Sequence, residues 1–239
     1  MKRIMLLAIS IMLVGISLAQ VNEGTIVFEQ KIDMHRRISA DDAQMKAMIP
    51  HFRSSKFELV FANAQSLYKM LEAEPDVTEN TGGGDIVMRF GGANTEYYKN
   101  FNMHKQVEKR ELAEKAYIIE DTLHTIQWKL GDESKFVLGH NCKQAIGKTE
   151  RGSDVEAWYT EDITVSSGPE MFTGLPGMVL LADVNKGEFV YTALELKKIS
   201  GRKQLKAPTG GKKITNAEFV KLQKEIFGDQ KGPVRLIRN

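Results

Sequence analysis

Apolar and polar residues alternate along most of the chain. In Gly24–Asp33, Ile26, Phe28 and Ile32 fall on one face and Thr25, Glu29 and Lys31 on the other, the pattern of a half-buried strand. Phe57, Leu59 and Phe61 alternate with Lys56, Glu58 and Val60 in a second strand, Asn63-Ala64 turns the chain, and 66–71 can pair back as a third. The alternation resumes at Ile86, Met88 and Phe90, with Gly91-Gly92-Ala93-Asn94 as a hairpin turn. It continues through 96–101, 105–112, 115–120 and 123–130, then 155–160 and 189–194, and Asp132-Glu133-Ser134-Lys135 reads as a charged turn. Short strands separated by turn signals, without a βαβ rhythm, predict an antiparallel meander.

Two stretches follow the helical period instead. Ser39 stands three residues before Asp42 at capping-box spacing, Met45, Met48 and Ile49 share a face, and Pro50 stops the run, which predicts a short helix near 41–49. Thr215 and Glu218 form a second capping box. Phe219, Leu222 and Ile226 share a face and Gly228 follows as a C′ glycine, predicting a helix near 216–227. The expected fold is mostly β with minor α: a single curved antiparallel sheet or half-open barrel, curled around one helix or loop, with a closed sandwich as the runner-up. Two Gly/Pro clusters, Gly168-Pro169 and Gly174-Leu175-Pro176-Gly177, lead into the apolar run 178–181. They predict a rigid structural turn that seats a buried strand, with Gly177 at positive φ in the second central position of a type II turn.

The first residues change the picture of where this fold works. Lys2 and Arg3 precede an apolar run over 4–18, and Ser17-Leu18-Ala19 ends it with small residues, so 1–19 is expected to be a cleaved export signal with the mature chain starting at Gln20. The expected location is periplasmic or extracellular, with no transmembrane span after removal of the signal. Removing Lys2 and Arg3 leaves 33 − 2 = 31 basic against 31 acidic residues, which gives no reason to expect a nucleic-acid partner. The remaining organisation reads as a β domain over 20–199, a basic linker over 200–214, and a C-terminal helix and tail over 215–239 packed on the same domain. The single cysteine, Cys142, cannot form an internal disulfide, so stability rests on the core.

One block carries a resemblance. Trp128, Asp132-Glu133, Lys135, Gly139 and Cys142-Lys143-Gln144-Ala145 are followed by Ala157-Trp158-Tyr159-Thr160, Asp162-Ile163, Gly168-Pro169, Phe172 and Gly174-Leu175-Pro176-Gly177. In this order they resemble the GLPGLI family of secreted proteins of Bacteroidota. The namesake hexapeptide here reads Gly-Leu-Pro-Gly-Met-Val, and Thr164 stands where the family often has proline. The resemblance implies a secreted, β-rich protein of unassigned role.

Candidate chemistry is sparse. There is no G-x-S-x-G, H-E-x-x-H, phosphate loop, C-x-x-C or zinc-spaced set, so no metal site and no cofactor are expected. Trp128, Trp158, Tyr159 and Phe172 are large aromatics in the motif block and candidates to line a groove for an apolar ligand or an envelope protein; core packing is the plainer use for them. Trp158 and Tyr159, being adjacent, should face opposite sides of a strand. The favoured function is therefore a secreted or periplasmic binding module. An alternative is an envelope hydrolase working through Cys142 (with His140 two residues away) or through Asp132, Glu133, Glu161, Asp162 and Asp183. A third is copper(I) handling through Met45, Met48 and His51, two of which the helix also needs for its apolar face.

Overall fold

A computed structural model describes residues 21–73, 77–80, 85–90, 95–199, 201, 204–227 and 234–238. The expected export signal and its cleavage point, the glycines at 82–84, the 91–94 turn and Gly228 lie outside the described residues. The chain forms β1 (Gly24–Asp33), a 3-10 turn (Met34–Arg37), α1 (Ala43–Met48), β2 (Phe52–Ala62), β3 (Gln65–Ala73), β4 (Val77–Asn80), β5 (Asp85–Phe90), β6 (Glu96–Asn100), β7 (Lys105–Leu112) and β8 (Lys115–Thr122). These are followed by β9 (Lys129–Val137), β10 (His140–Lys148), β11 (Asp154–Thr160), β12 (Met178–Val184), β13 (Phe189–Lys198), β14 (Lys212–Lys213), α2 (Asn216–Phe227) and β15 (Val234–Arg238).

Twelve strands form one sheet in the order β14-β8-β7-β6-β3-β2-β1-β13-β12-β11-β10-β9, all antiparallel except the short β14 against β8. It is two meanders sharing a seam: β1, β2, β3, β6, β7 and β8 run outward in one direction, β13 back to β9 in the other, and β1 pairs with β13. The two end strands do not pair, so the sheet is not closed. β4, β5 and β15 form a separate three-stranded sheet, where a single meander was expected. Two-residue turns join several hairpins with both central residues at positive φ: Asn63-Ala64 at 51° and 56°, Ala113-Glu114 at 49° and 62°, Leu138-Gly139 at 51° and 79°. That is the turn whose twist matches the flanking strands.

The sheet is strongly curved. Ser167 Oγ donates to Ser66 Oγ at 2.9 Å, and the Ser167 carbonyl accepts from the Val179 N–H at 2.8 Å. Through those links the Cα atoms of β3 and β12 lie within about 14 Å of each other. Four strand spacings in a flat sheet would hold them roughly 19 Å apart. Bulges account for part of the bend: the register slips at Val27/Phe28 in β1, at Lys56/Phe57 in β2 and at Trp158/Tyr159 in β11.

What fills the curve is the loop 161–177. Ile163 and Val165 pack with Ile26, Phe28, Leu59 and Trp158, while Phe172 and Leu175 join a second cluster with Tyr159, Val179 and Tyr191. α2 lays Phe219 on Tyr117, ring centroids 5.8 Å apart, beside Leu112 and Ile119 at the other end of the sheet. Its capping box forms as expected, Thr215 N–H to Glu218 Oε2 at 2.9 Å and Glu218 N–H to Thr215 Oγ1 at 3.2 Å. The shorter α1 is capped by Asp42, whose Oδ1 accepts from Met45 N–H at 2.9 Å, and Ser39 instead offers its carbonyl to Asp42 N–H. Residues expected as a linker are built in: the Leu205 N–H donates to Gln65 Oε1 and Lys212–Lys213 pair with β8. No described helix is long and apolar enough to cross a membrane.

Candidate functional site

The concave face gathers polar side chains from five strands and the loop. Gln30 on β1 and Tyr191 on β13 are cross-strand partners, and Gln30 Nε2 donates to Tyr191 Oη and to Glu170 Oε1, each at 2.9 Å. Tyr97 on β6 is paired in register with Glu108 on β7. Arg110, two residues along β7, sets Nε 2.7 Å from Glu108 Oε2 and lies over Phe219 of α2, 5.4 Å from the ring centroid. Lys99 on β6 is buried and donates from Nζ to the Gly168 carbonyl at 3.1 Å. Tyr68 on β3 stacks on Phe57 at 4.8 Å, and among the described residues its hydroxyl has no hydrogen-bond partner.

Burial sets the protonation of this cluster. It pushes the Lys99 ammonium down to about 7, although Glu108 and Glu170 favour its charge. It raises the Glu170 carboxyl, against the hydrogen bonds from Tyr191 and Gln30 and the charge of Arg110. Burial, then the charge of Glu170, raises the phenols of Tyr68, Tyr97 and Tyr191, so all three stay protonated. Burial works against the Arg110 charge, but Glu108 and Tyr97 outweigh it. Glu170 sits at φ 42°, a left-handed conformation that costs a non-glycine residue on the order of 1 kcal/mol or more and is common at functional sites. The charge of Arg151, in the β10–β11 turn, acts on Tyr97 in the opposite, lowering direction. His124 bridges Asp121 at 3.2 Å and Glu150, tying the end of β8 to that turn.

The four aromatics of the motif block are divided. Trp158 packs with Phe28, Cys142 and Ile163 under the Lys135 ammonium, which lies 3.7 Å from its ring centroid. Tyr159, Phe172 and the half-buried Trp128 join the other cluster. There Phe172 meets Tyr191 edge-on at 5.3 Å, and Trp128 Nε1 donates to the Thr173 carbonyl at 2.7 Å. Adjacent Trp158 and Tyr159 thus serve different clusters, at the point where the strand register slips.

The remaining candidates do not converge. Cys142 is buried, and burial pushes its thiol up to about 11; its Sγ lies 3.7 Å from the His140 carbonyl and also meets the backbone of Val137. His140 Nδ1 pairs with Asp162 at 2.8 Å, Glu161 with Lys143 at 2.8 Å, and Asp183 accepts from the Gly187 N–H. Asp132 and Glu133 are exposed within β9, a strand where a charged turn was expected; on an edge strand both faces carry polar residues, so the alternation vanishes. Met45 and Met48 pack with Met34 and Ile49, and His51 stacks on His35 with centroids 4.5 Å apart. Among the described residues no group of three or more His, Cys, Asp or Glu is placed to hold a metal ion.

The Gly/Pro block shapes the loop that carries Glu170. Gly177 has φ 151°, and a Cβ there would lie 2.1 Å from the Thr160 carbonyl oxygen. Its N–H donates to the Leu175 carbonyl at 2.8 Å, which closes a three-residue γ-turn about Pro176 in place of the expected type II turn. Gly174 has φ 95° and a Cβ on it would meet Thr125 at 3.2 Å, Leu175 is buried, and a Cβ on Gly168 would meet Val179 at 2.7 Å. The Pro169 carbonyl accepts from the Phe172 N–H at 3.0 Å, which turns Glu170 toward the sheet.

A family described as "Protein of unknown function (Porph_ging)" matches residues 147–181, from the end of β10 through the loop into β12. No curated protein matches the chain. Two solved structures of PNGF-II, in space groups P21 and C2, share the fold with a TM-score of 0.55 and 15% identity. Each match covers 84% of this chain but only 33% or 32% of the PNGF-II chain, so this protein spans about a third of that length. The likeness is one of fold.

Proposed function

We propose that the protein is an exported binding module of the GLPGLI type, holding a ligand or an envelope partner against the concave face of its sheet. The observation that carries this reading is a contrast. The thiol of the motif block is buried, Glu161, Asp162 and Asp183 are each tied off separately and Asp132 and Glu133 lie exposed on β9, whereas Tyr97, Glu108, Arg110 and Glu170 act on one another from two strands and one loop. Mixed charge, phenols and a guanidinium fork suit a ligand bound through several directional hydrogen bonds. In this reading the motif block, including Trp158, Tyr159 and Phe172, positions the loop that presents Glu170. The test is native mass spectrometry of the protein purified from its own envelope. A retained small molecule or partner that is lost in Arg110→Ala and Glu170→Gln supports the reading; a bare wild-type mass, with no species exchanged on addition of envelope extract, refutes it.

A hydrolase remains the second reading, because the same cluster holds a carboxyl shifted upward, Glu170, and a lysine shifted to about 7, Lys99, whose ammonium donates to the carbonyl of Gly168 in the loop that carries Glu170. It would work through Glu170 rather than through Cys142. Turnover of an envelope component that disappears in a folded Glu170→Gln variant would favour it.

A further inference from the structure

Around Tyr97 the charges do not balance. Tyr97 pairs in register with Glu108 and Lys99 with Gln106, so Gln106, Glu108 and Arg110 of β7 share a face with Tyr97 and Lys99 of β6. Arg110 is the diagonal neighbour of Tyr97, and Glu108 takes its Nε and Nη2. Among the described residues neither its Nη1 nor the Tyr97 hydroxyl has a hydrogen-bond partner. A second guanidinium comes from the other meander. Thr149 shapes the β10–β11 turn: its carbonyl accepts from the Gly152 N–H at 2.8 Å and its Oγ1 from the Ser153 N–H at 3.1 Å. Glu150 of that turn is held by His124, whose own N–H donates to Gln106 Oε1 at 3.2 Å. The turn is thereby fastened to β7. Its Arg151 is exposed, has no ion pair among the described residues, and acts through its charge on Tyr97.

We propose that Arg110, Tyr97 and Arg151 form a seat for a carboxylate, the anionic group of the ligand held on the concave face. This rests on the reading of that face as a binding surface and names the chemistry it selects. Two guanidinium groups stand against one paired carboxylate, Glu108, which leaves a positive charge unmatched. The free groups are donors: an N–H of each arginine and a phenol that stays protonated. A planar group with two acceptor oxygens and one negative charge answers both features. The other titratable groups of the cluster favour the anion on the acid side. Lys99 of β6 carries its charge below about 7, and burial disfavours the charge of Glu170 from the loop 161–177. Tyr68 of β3 and Tyr191 of β13 remain neutral phenols. Affinity for a carboxylate should therefore fall as pH rises through about 7, where Lys99 loses its proton.

Titration of the purified protein with acetate, exchanged for chloride at constant ionic strength, tests this. The readout is the carbon NMR signals of the two guanidinium groups and of the Tyr97 ring. Acetate should shift all three saturably, and acetamide, its neutral counterpart, should not. Arg151→Gln and Tyr97→Phe should each raise the acetate dissociation constant by at least roughly fivefold, the loss of one charge-assisted hydrogen bond. Arg151 is exposed and Tyr97→Phe removes only a hydroxyl, so both variants should fold, and their melts are compared with wild type. Binding should be several-fold weaker at pH 9 than at pH 6. Shifts that do not saturate, an equal response to acetamide, or variants that fold and bind like wild type overturn the proposal. Tighter binding of inorganic phosphate at the same ionic strength overturns the carboxylate assignment. Native mass spectrometry tests the wider reading separately. A ligand retained from the envelope with no acetate binding removes the seat and leaves the binding face, and acetate binding with a bare native mass supports the seat alone.

Discussion

Replacing Lys99 with methionine should change the slope of stability against pH. The lysine is 3% exposed and its ammonium is held at about 7, against 10.5 for an ordinary lysine. The gap corresponds to roughly 5 kcal/mol at 1.36 kcal/mol per pH unit. Because the folded value is the lower one, the unfolded chain binds a proton that the folded protein lacks throughout that window. The contribution of this lysine to stability is therefore most favourable above about 10.5, becomes less favourable by about 1.4 kcal/mol for each unit of acidification, and levels off below about 7, where both forms are protonated. Methionine removes that term but leaves the Gly168 carbonyl without its donor, at a cost of about 1–3 kcal/mol. The variant should then be more stable than wild type near neutrality, by about 2–4 kcal/mol, and less stable in strong alkali, with the two profiles crossing near about pH 9. Urea denaturation at constant ionic strength across this range reads the difference directly, since every other titration is common to both proteins. Parallel profiles would refute the assignment of a buried, largely neutral lysine.

Gly177→Ala should destabilise the protein by about 3 kcal/mol or more, because its Cβ would meet the Thr160 carbonyl at 2.1 Å, whereas Leu175→Ala, in a buried position, should cost about 2–4 kcal/mol; thermal melts of the two compare them. Tyr68→Phe removes an unpaired buried hydroxyl and keeps the stack on Phe57, so it should leave the denaturation midpoint unchanged or raise it. Cys142 should resist a thiol reagent in the native protein at neutral pH and react at once in denaturant; fast native labelling would show that the thiol is not buried and protonated.

Strands with one wet and one dry face were legible. Ile26, Phe28 and Ile32 marked β1, and Phe57, Leu59 and Phe61 marked β2, because the period of two follows directly from a half-buried sheet. Thr215 and Glu218 marked the start of α2 through a purely local bond. Lys99, Glu108 and Arg110 were not legible as a site. Each reads in its own strand as the polar half of an alternation, and only curvature, set by bulges between distant strands, turns that half inward. Glu170 stood within the motif block, but nothing local distinguishes it from a solvated turn carboxylate; its positive φ was a signal only the backbone holds. The γ-turn at Pro176 was missed because Pro-Gly fits several turn types and the contact that selects one, with Thr160, is not local.

The seam between the two meanders has a kinetic meaning. Gly24 pairs with Lys198, a separation of 198 − 24 = 174 residues, so the first strand waits for almost the whole chain before its second neighbour exists. Closing so large a loop must precede any gain from the pairing, which places the protein among slow folders, on a scale of milliseconds to seconds or longer. Each meander can form from neighbours in the chain, but Phe28 and Ala193 share one core cluster and cannot meet until the two are joined. A nascent chain stopped short of Phe189 therefore holds two bare strand edges, and a half-made protein is expected to be the form most exposed to aggregation and proteolysis.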